Sequence, residues 1–309
     1  MTATLWDSFD ELLIKAEQSF LDFKIEQALV LWEKYYSITA RQEYRTIIKE
    51  ITQNWDSDTY SDVSSLNRLF QIFNELRKKV YQKEIGSYTF NLYKKLLLKI
   101  YKTKFSDAGR LDVSVEAGVF EYLDGEYDSA VNKLERVLSS DPGLVQARSC
   151  LAAAYMAKHE QRMAVSALTK NLFLAADELV EEDLILSQFK LLFGRLHASA
   201  GSREEAAWLL AFESWYRSFL VFEEDNAFFL LVQRKESSER IMQVKYYNHE
   251  RYRHFARCLY LAEYSRLYYP GNTGNILELE NYMAKLDSSL FGRYRRKRKE
   301  PGLVKKQTN

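Results

Sequence analysis

The histidines of the C-terminal third come closest to a pattern that could bind a metal ion. His249 and Glu250, followed by His254, have the same order as a zinc-protease motif whose two histidines share one helical face. That motif places its histidines four residues apart, whereas these are five apart, which is about 140° around an α-helix. Side chains at that angle do not share a metal ion in a straight helix. We therefore predict partly exposed polar residues on an amphipathic helix.

The other candidate groups carry no enzyme signature. His159 and His197 lie near predicted turns and have no cysteine or second histidine at ligand spacing. Gly118 and Gly125 are separated by helix-type sequence, and no phosphate-binding loop is completed around them. The acidic residues within 178–183 are typical of a solvated helix start, because the helix dipole favours acids there. We expect no catalytic residue, no metal ion and no cofactor, and we predict that the protein is not an enzyme.

The elements that position these residues are predicted to be helices. The 309 residues include only 11 Gly and 3 Pro, too few for the turns of a barrel, a sandwich or a doubly wound sheet. Hydrophobic residues make up 47% of the chain, which is ample material for burial between helices. The most apolar stretch, residues 208–232, is interrupted by five charged residues, so we predict no membrane span.

The cysteines and the first residues give an expectation about compartment. Cys150 and Cys258 are too few for a disulfide framework and lie in apolar helical contexts, where a thiol behaves as a small hydrophobe. Residues 1–10 contain acids, and no apolar segment of the kind found in signal peptides follows them. We expect a cytoplasmic protein, or a nuclear one if the source is a eukaryote.

Basic residues are concentrated at the C-terminal end of a chain whose total charge is nearly balanced. Lys and Arg number 44 and Asp and Glu number 43, yet residues 293–309 contain eight basic residues and one acid. We predict a last helix that ends near Leu290 and a basic disordered tail over 291–309. A solvated tail, a nuclear import signal and a contact with nucleic acid or another polyanion remain open. The residues that would contact a polyanion are Arg293, Arg295, Arg296, Lys297, Arg298 and Lys299.

Similar residues recur every 34 positions in the middle of the chain. Residues 111–144 align with residues 145–178 without a gap. The aligned pairs are Gly118 with Ala152, Ala130 with Ala164, Leu134 with Leu168 and Leu138 with Leu172. Small residues at Gly118 and Ala130 would let two helix axes approach closely. Gly125 supplies a turn between the helices, and Pro142 ends the second helix.

This pattern resembles the tetratricopeptide repeat, whose unit is a helix-turn-helix of 34 residues. A third unit fits residues 187–220 after eight extra residues, with Gly194 and Ala206 in the equivalent places. The resemblance implies an all-α fold, a right-handed superhelical array of helix-turn-helix repeats, which is a tetratricopeptide-like solenoid. It is strongest over 111–220. We predict an N-terminal helical region with degenerate repeats over 1–110 and a C-terminal helical region over 221–290. Residues 219–232 fit a helix or a β-hairpin, and we predict a helix.

Tetratricopeptide solenoids generally bind partners on the concave face formed by the first helix of each unit. The resemblance implies a groove formed by Val115, Val119, Tyr122, Gln146, Ser149, Ala153, Met156, Gln188, Leu191 and Arg195. This groove is mostly apolar and lacks the Lys, Asn and Arg with which some family members clamp a chaperone's C-terminal carboxylate, so we predict no binding of such tails. The alternative is that the protein's own C-terminal helices fill the groove.

We predict a protein-binding scaffold or adaptor that holds an apolar helix or peptide segment of an unidentified partner. The second hypothesis is a helical-repeat protein that contacts nucleic acid or another polyanion through its basic tail. The dependence of binding affinity on salt concentration distinguishes the two hypotheses, because binding to nucleic acid weakens steeply with ionic strength.

Overall fold

The computed structural model describes residues 5–61, 63–105, 113–242 and 247–299. The chain divides into two compact units: unit 1 comprises residues 1–112 and 123–125, and unit 2 comprises residues 113–122 and 126–309. Every regular element within the described ranges is helical, and helices that follow one another in the chain generally pack together. The prediction of an all-α protein is confirmed.

The first six helices belong to unit 1. They are α1 (Leu5–Leu21), α2 (Ile25–Thr39), α3 (Gln42–Asn54), α4 (Ser57–Ser61), α5 (Leu66–Tyr81) and α6 (Ser87–Lys104). The helices that follow are α7 (Val115–Asp124), α8 (Tyr127–Ser140), α9 (Val145–Ala157), α10 (Gln161–Ala175), α11 (Ser187–Ser199), α12 (Arg203–Tyr216), α13 (Asn226–Met242), α14 (Asn248–Tyr268), α15 (Thr273–Leu286) and α16 (Ser288–Lys299). Two short 3₁₀ turns, Ala176–Glu178 and Glu181–Asp183, occupy the extra residues before α11.

Each of the three predicted units contains a pair of consecutive helices, α7 with α8, α9 with α10 and α11 with α12. Leu111, the predicted start of the first unit, lies outside the described residues. Gly118 is where α7 meets α8: a Cβ atom added there would lie 2.7 Å from Cγ of Leu134, so a side chain does not fit without movement. Ala130, Ala164 and Ala206, near the starts of the three second helices, are fully buried.

Among the described residues, a shared turn ends five of the helices. The first or second residue after the helix adopts a left-handed conformation, and the N–H of the residue that follows it donates to the carbonyl five residues back at 2.8–2.9 Å. The left-handed residues are Phe23 (φ 61°), Lys83 (φ 59°), Gly125 (φ 91°), His159 (φ 63°) and Ser218 (φ 59°). Only one of them is glycine, so the other four hold a conformation that costs an L-residue roughly 1–2 kcal/mol.

The third unit departs from the predicted register. Gly194 was expected to lie at a helix crossing like Gly118, but it is exposed, and an added Cβ would meet nothing within 4 Å. The buried face of α11 is formed instead by Phe189 and Leu192. The predicted equivalence of Gly194 with Gly118 is therefore wrong, because α11 meets its neighbours through the face that carries Phe189 and Leu192.

Residues 219–232 form neither a continuous helix nor a β-hairpin. Residues 219–225 have no regular structure, and α13 begins at Asn226. Asp225 fixes this start, since its Oδ1 accepts a hydrogen bond from the N–H of Phe228 at 2.9 Å, as an N-cap does. The predicted helix is correct only from Asn226 onward.

The last helix also runs further than predicted. α16 continues through the basic run to Lys299, so residues 291–299 are helical and not a disordered tail. Tyr294 is fully buried, and Arg293 forms an ion pair with Glu213. Both contacts hold this helix against the rest of unit 2. The remaining tail residues, 300–309, lie outside the described residues.

The two units have separate cores. The core of unit 1 includes large aromatic side chains, among them Phe20, Trp32 and Tyr93. In unit 2, α10 is the centre: from residue 164 to residue 175 every side chain except that of Lys170 is buried. α10 is covered on several sides by α9, α12 and α14. This arrangement ties the C-terminal helices to the second helices of the hairpins.

Candidate partner-binding site

The ten predicted groove residues differ in how much of their surface is exposed to solvent. Three on α11 are exposed, namely Gln188, Leu191 and Arg195, and Leu191 has 65% of its surface accessible. Five on α7 and α9 are half-buried, namely Val115, Tyr122, Gln146, Ala153 and Met156. Two are buried, namely Val119 and Ser149. These two side chains belong to the core, so their prediction as groove contacts is corrected.

Ser149 is buried because it takes part in a polar network between α9 and α10. The side-chain amide of Asn171 donates to Oγ of Ser149 and to the carbonyl of Val145, both at 3.0 Å. Arg148 donates in turn to Oδ1 of Asn171 at 3.2 Å. Each buried polar group therefore has a partner, which is what burial of such groups requires.

The half-buried apolar residues of α7 and α9 rest on a small core that includes Val131, Leu134 and Leu151. Ile185, from the inserted segment before α11, packs against the same cluster and covers part of it. The C-terminal helix α14 packs most extensively on α15, and among the helices of the predicted units it contacts α12 and α10. The aromatic contacts of Phe255 with Phe212 and of Tyr260 with Phe173 illustrate this packing. Within the predicted units, α14 therefore lies against second helices.

A cleft of about 470 Å³ in unit 2 is bordered by α8, α9, α10 and the irregular segment before α13. Its lining carries both signs of charge. Lys170 Nζ lies 2.6 Å from Oδ2 of Asp225, and the hydroxyl of Tyr155 donates to Glu135. Burial raises the pKa of Asp225, but the bond to Lys170 and the N–H of Phe228 outweigh it, so the pKa is held below its usual value.

Arg148 forms the buried side of this cleft, with 3% of its surface exposed. Its guanidinium donates to the carbonyl of Pro142 at 2.5 Å and to Asn171, and it lies 4.8 Å from the ring centre of Phe228. Burial lowers the pKa of Arg148 to about 10, so the group is still protonated at neutral pH. The cleft therefore contains a cation bound by neutral groups.

The six basic residues predicted to contact a polyanion fall into two sets. Arg293 NH1 lies 2.5 Å from Glu213, and Arg298 NH1 lies 3.4 Å from Glu263, so both are bound within unit 2. Lys297 is half-buried, with Nζ 5.9 Å from the ring centre of Tyr216. The exposed set is Arg295, Arg296 and Lys299. Only this second set presents its charge freely to solvent.

A buried polar cluster joins α13 to α14. His254 Nδ1 lies 2.9 Å from Oε2 of Glu236, and Arg240 Nε donates to Oε1 of the same carboxylate at 2.9 Å. Arg240 also donates to Sγ of Cys258 at 3.0 Å. Glu236, His254 and Cys258 are at most 1% exposed. The prediction that His254 is partly exposed is wrong, because Glu236 from a neighbouring helix supplies its buried partner.

This cluster holds the residue types of a nucleophilic site, but its electrostatics disfavour that chemistry. Burial and the Glu236 carboxylate raise the pKa of the Cys258 thiol well above its ordinary value, so the reactive thiolate is not formed at neutral pH. Burial also raises the pKa of Glu236, but His254 and Arg240 outweigh it and hold that pKa below its usual value. The cluster is a structural ion-pair network.

Two further features are absent from the part of the chain that the structure describes, a metal-binding cluster and a membrane-spanning helix. There, no three His, Cys, Asp or Glu side chains come together in a way that could hold a metal ion. Nor does any helix of the described ranges have the length and apolarity needed to span a bilayer.

Sequence reasoning missed the cleft and the buried cluster because their members come from separate helices. Glu236 and His254 are 18 residues apart, and Lys170 and Asp225 are 55 apart, so no local spacing joins them. The capping position of Asp225 was the one local signal that could have been read. No protein-family model, curated protein or solved structure matches this chain.

Proposed function

We propose that the chain is a non-enzymatic, tetratricopeptide-like scaffold or adaptor that holds an apolar helix or peptide segment of a partner protein. The observation that carries this proposal is Leu191, which exposes 65% of its surface on α11, the first helix of the third unit. Tyr122 and Met156 are half-buried apolar residues on the corresponding helices α7 and α9. Apolar surface left open on these helices is suited to burying nonpolar area of a partner.

The recurring local geometry supports the repeat arrangement. The hairpin of α1 and α2 has the same left-handed turn, at Phe23, as the hairpins of α7–α8 and α9–α10. Ala28 follows that turn at the same distance as Ala130 and Ala164 follow theirs, and all three alanines are fully buried. In the proposal the hairpins α7–α8 and α9–α10 of unit 2 are units of a right-handed superhelical array.

The chemistry of the exposed residues indicates the kind of partner. Gln188 and Arg195 are exposed on the same helix as Leu191 and would lie at the edge of a bound segment. An amphipathic helix whose apolar face meets Leu191 and whose edge accepts hydrogen bonds from Gln188 and Arg195 satisfies both kinds of group.

The test compares two exposed leucines of unit 2. Leu191→Asp should remove partner proteins that co-purify with the tagged chain from its native host, as counted by quantitative mass spectrometry. The matched control is Leu277→Asp on α15, where the leucine is 58% exposed but lies outside the proposed surface. Both variants should melt as the wild type does, because substitutions at exposed sites change stability by about 0.5 kcal/mol or less. Retention of every partner by Leu191→Asp would overturn the proposal.

A second candidate is binding of nucleic acid or another polyanion through α16. It is favoured by the exposed cations Arg295, Arg296 and Lys299, which lie within five residues of one helix. Replacement of all three with Gln should abolish binding to a DNA duplex, and wild-type binding should weaken steeply with salt. Equal binding by the variant and the wild type would exclude this helix as the contact.

A further inference from the structure

A second cleft lies wholly within unit 1 and has a different chemistry. It has a volume of about 670 Å³ and is formed by the turn between α1 and α2, by Trp55 and α4, and by the last turns of α6. This volume falls within the range of small-ligand sites, which is roughly 300–1,000 Å³. Its apolar lining consists mainly of Phe23, Trp55, Tyr60 and Ile100.

The aromatic residues of this cleft form a continuous stack. The ring centres of Trp55 and Tyr60 are 4.9 Å apart with nearly parallel planes, and Tyr60 stacks in turn on Tyr93 at 5.5 Å. Phe23 meets Trp55 edge to face at 6.2 Å. Tyr60 and Tyr93 are buried, whereas Trp55 is half-buried and Phe23 is 39% exposed. The stack therefore has a rigid buried end and an aromatic end open to the cleft.

Phe23 is unusual for the position that it occupies. It is the left-handed residue of its turn, and the equivalent residues of the three other hairpins with this turn are Lys83, Gly125 and His159, which are polar or glycine. A large aromatic side chain gains nothing from a left-handed backbone, which is strained for any residue that has a Cβ atom. Nor does burial explain the residue. What its ring does in the structure is extend the aromatic wall of the cleft.

Three lysines and two acids line the same cleft, namely Lys24, Lys99, Lys104, Asp22 and Glu26. Lys99 is bound to Asp22 at 2.6 Å. Lys104 donates to the carbonyls of Ser61 and Val63 at 3.3 and 3.2 Å, and Lys24 is exposed. Among the described residues, neither Lys104 nor Lys24 has a carboxylate within ion-pair distance. The cleft thus combines an open aromatic wall with a surplus of positive charge.

We propose that this cleft binds an aromatic anion, a ligand whose planar ring stacks against Trp55 and Phe23 and whose carboxylate pairs with Lys24 and Lys104. The ring would stack on the aromatic side chains, and the single carboxylate would balance the net charge of +1 left by three lysines and two acids in the lining. One ligand therefore accounts for both parts of the lining. The site is independent of the surface on α7, α9 and α11, so either proposal can fail without the other.

The first test uses two probes that share one ring and differ in charge. Indole-3-acetate carries a carboxylate and tryptamine carries an ammonium group. Titrations of the full chain followed by calorimetry should show binding of indole-3-acetate at least about tenfold tighter than that of tryptamine, which corresponds to one additional ion pair of about 1.4 kcal/mol. Equal binding of both probes, or binding of neither at millimolar concentration, would overturn the proposal.

The second test distinguishes the effect of losing the Phe23 ring from the effect of relaxing its left-handed turn. Phe23→Gly removes the ring and relaxes the left-handed turn, and we expect affinity for indole-3-acetate to fall about tenfold, in line with the loss of one stacking partner. Lys83→Gly is the matched control, because it relaxes the same turn in another hairpin of unit 1 and should leave affinity unchanged. Wild-type affinity of Phe23→Gly would refute the site.

Lys24→Glu covers the case in which Phe23→Gly does not fold, since Lys24 is exposed and its replacement leaves the core intact. This variant should bind indole-3-acetate more weakly and tryptamine more tightly than the wild type does. An unchanged ratio of the two affinities would overturn the proposal. A capped peptide, Asp-Asp-Trp-Asp-Asp, distinguishes the source of the ligand. Tighter binding of the peptide than of indole-3-acetate assigns the site to a protein segment, and weaker binding assigns it to a small molecule.

Discussion

Replacement of Gly118 with Ala tests how closely α7 and α8 approach. An added Cβ would lie 2.7 Å from both Cγ and Cδ2 of Leu134, whereas carbon atoms in good contact are separated by about 3.5–4.0 Å. Leu134 is fully buried, so it has little room to move away. Such overpacking costs about 1–3 kcal/mol. Ala is favoured over Gly in a helix by about 1 kcal/mol, so we expect a net loss of up to about 2 kcal/mol.

The matched control is Gly194→Ala. Gly194 is also within a helix, but an added Cβ meets nothing within 4 Å, so only the gain in helix propensity remains. We expect Gly194→Ala to stabilise the protein by about 1 kcal/mol. Urea unfolding followed by circular dichroism measures both changes, because the midpoint moves while the slope stays constant.

A double-mutant cycle identifies the cause. In a Leu134→Ala background the atoms that crowd position 118 are gone, so Gly118→Ala should become stabilising by about 1 kcal/mol. The reasoning is refuted if Gly118→Ala stabilises the wild type as much as Gly194→Ala does. In that case the helices would not meet at Gly118 as described.

Three further predictions concern turns, charge and thiols. His159 and Gly125 both have positive φ, a conformation that glycine adopts without strain. His159→Gly should therefore raise the free energy of unfolding by about 1 kcal/mol, and Gly125→Ala should lower it by a similar amount. Urea denaturation measures both changes. Glu236→Gln should lower the free energy of unfolding by about 1–3 kcal/mol in the same assay, since the half-buried Arg240 loses the charge of its nearest carboxylate. The pKa of Glu236 is held below its ordinary value of 4.5 in the folded protein. The stability that the Glu236 carboxylate contributes should therefore be complete above pH 4.5 and be lost as the pH falls below it. Thermal melts across pH 3–6 measure this loss. Half-buried Cys150 should react with a thiol reagent in the native protein, whereas Cys258 should react only after unfolding.

Local features of the sequence predicted the hairpins well. Gly118, Gly125 and Pro142 each act through their own backbone geometry, so their types already indicate a close crossing, a turn and a helix end. The 34-residue spacing placed Ala130 and Ala164 correctly as buried residues of the second helices. Periodicity also predicted helices in the regions on either side.

The parts that could not be predicted depend on contacts between distant residues. His254 was expected to be partly exposed, because the pattern on its own helix does not show that Glu236 on another helix will provide a buried hydrogen-bond partner. The register of α11 could not be derived either, since α11 packs through Phe189 and Leu192 and not through Gly194. The basic run of α16 has the composition of a solvated tail, and the buried ring of Tyr294 with the ion pairs to Glu213 and Glu263 makes it part of the fold.

The attachment of α16 has a consequence for how the chain is made. Arg293 pairs with Glu213 across 80 residues, and Arg298 pairs with Glu263 across 35. During synthesis Glu213 and Glu263 therefore have only their local partners, Arg217 and Arg266, until α16 has left the ribosome. Unit 1 has nearly all of its sequence by residue 112 and is able to fold first. A premature stop before α16 would release a chain whose second half remains a target for chaperones and proteases.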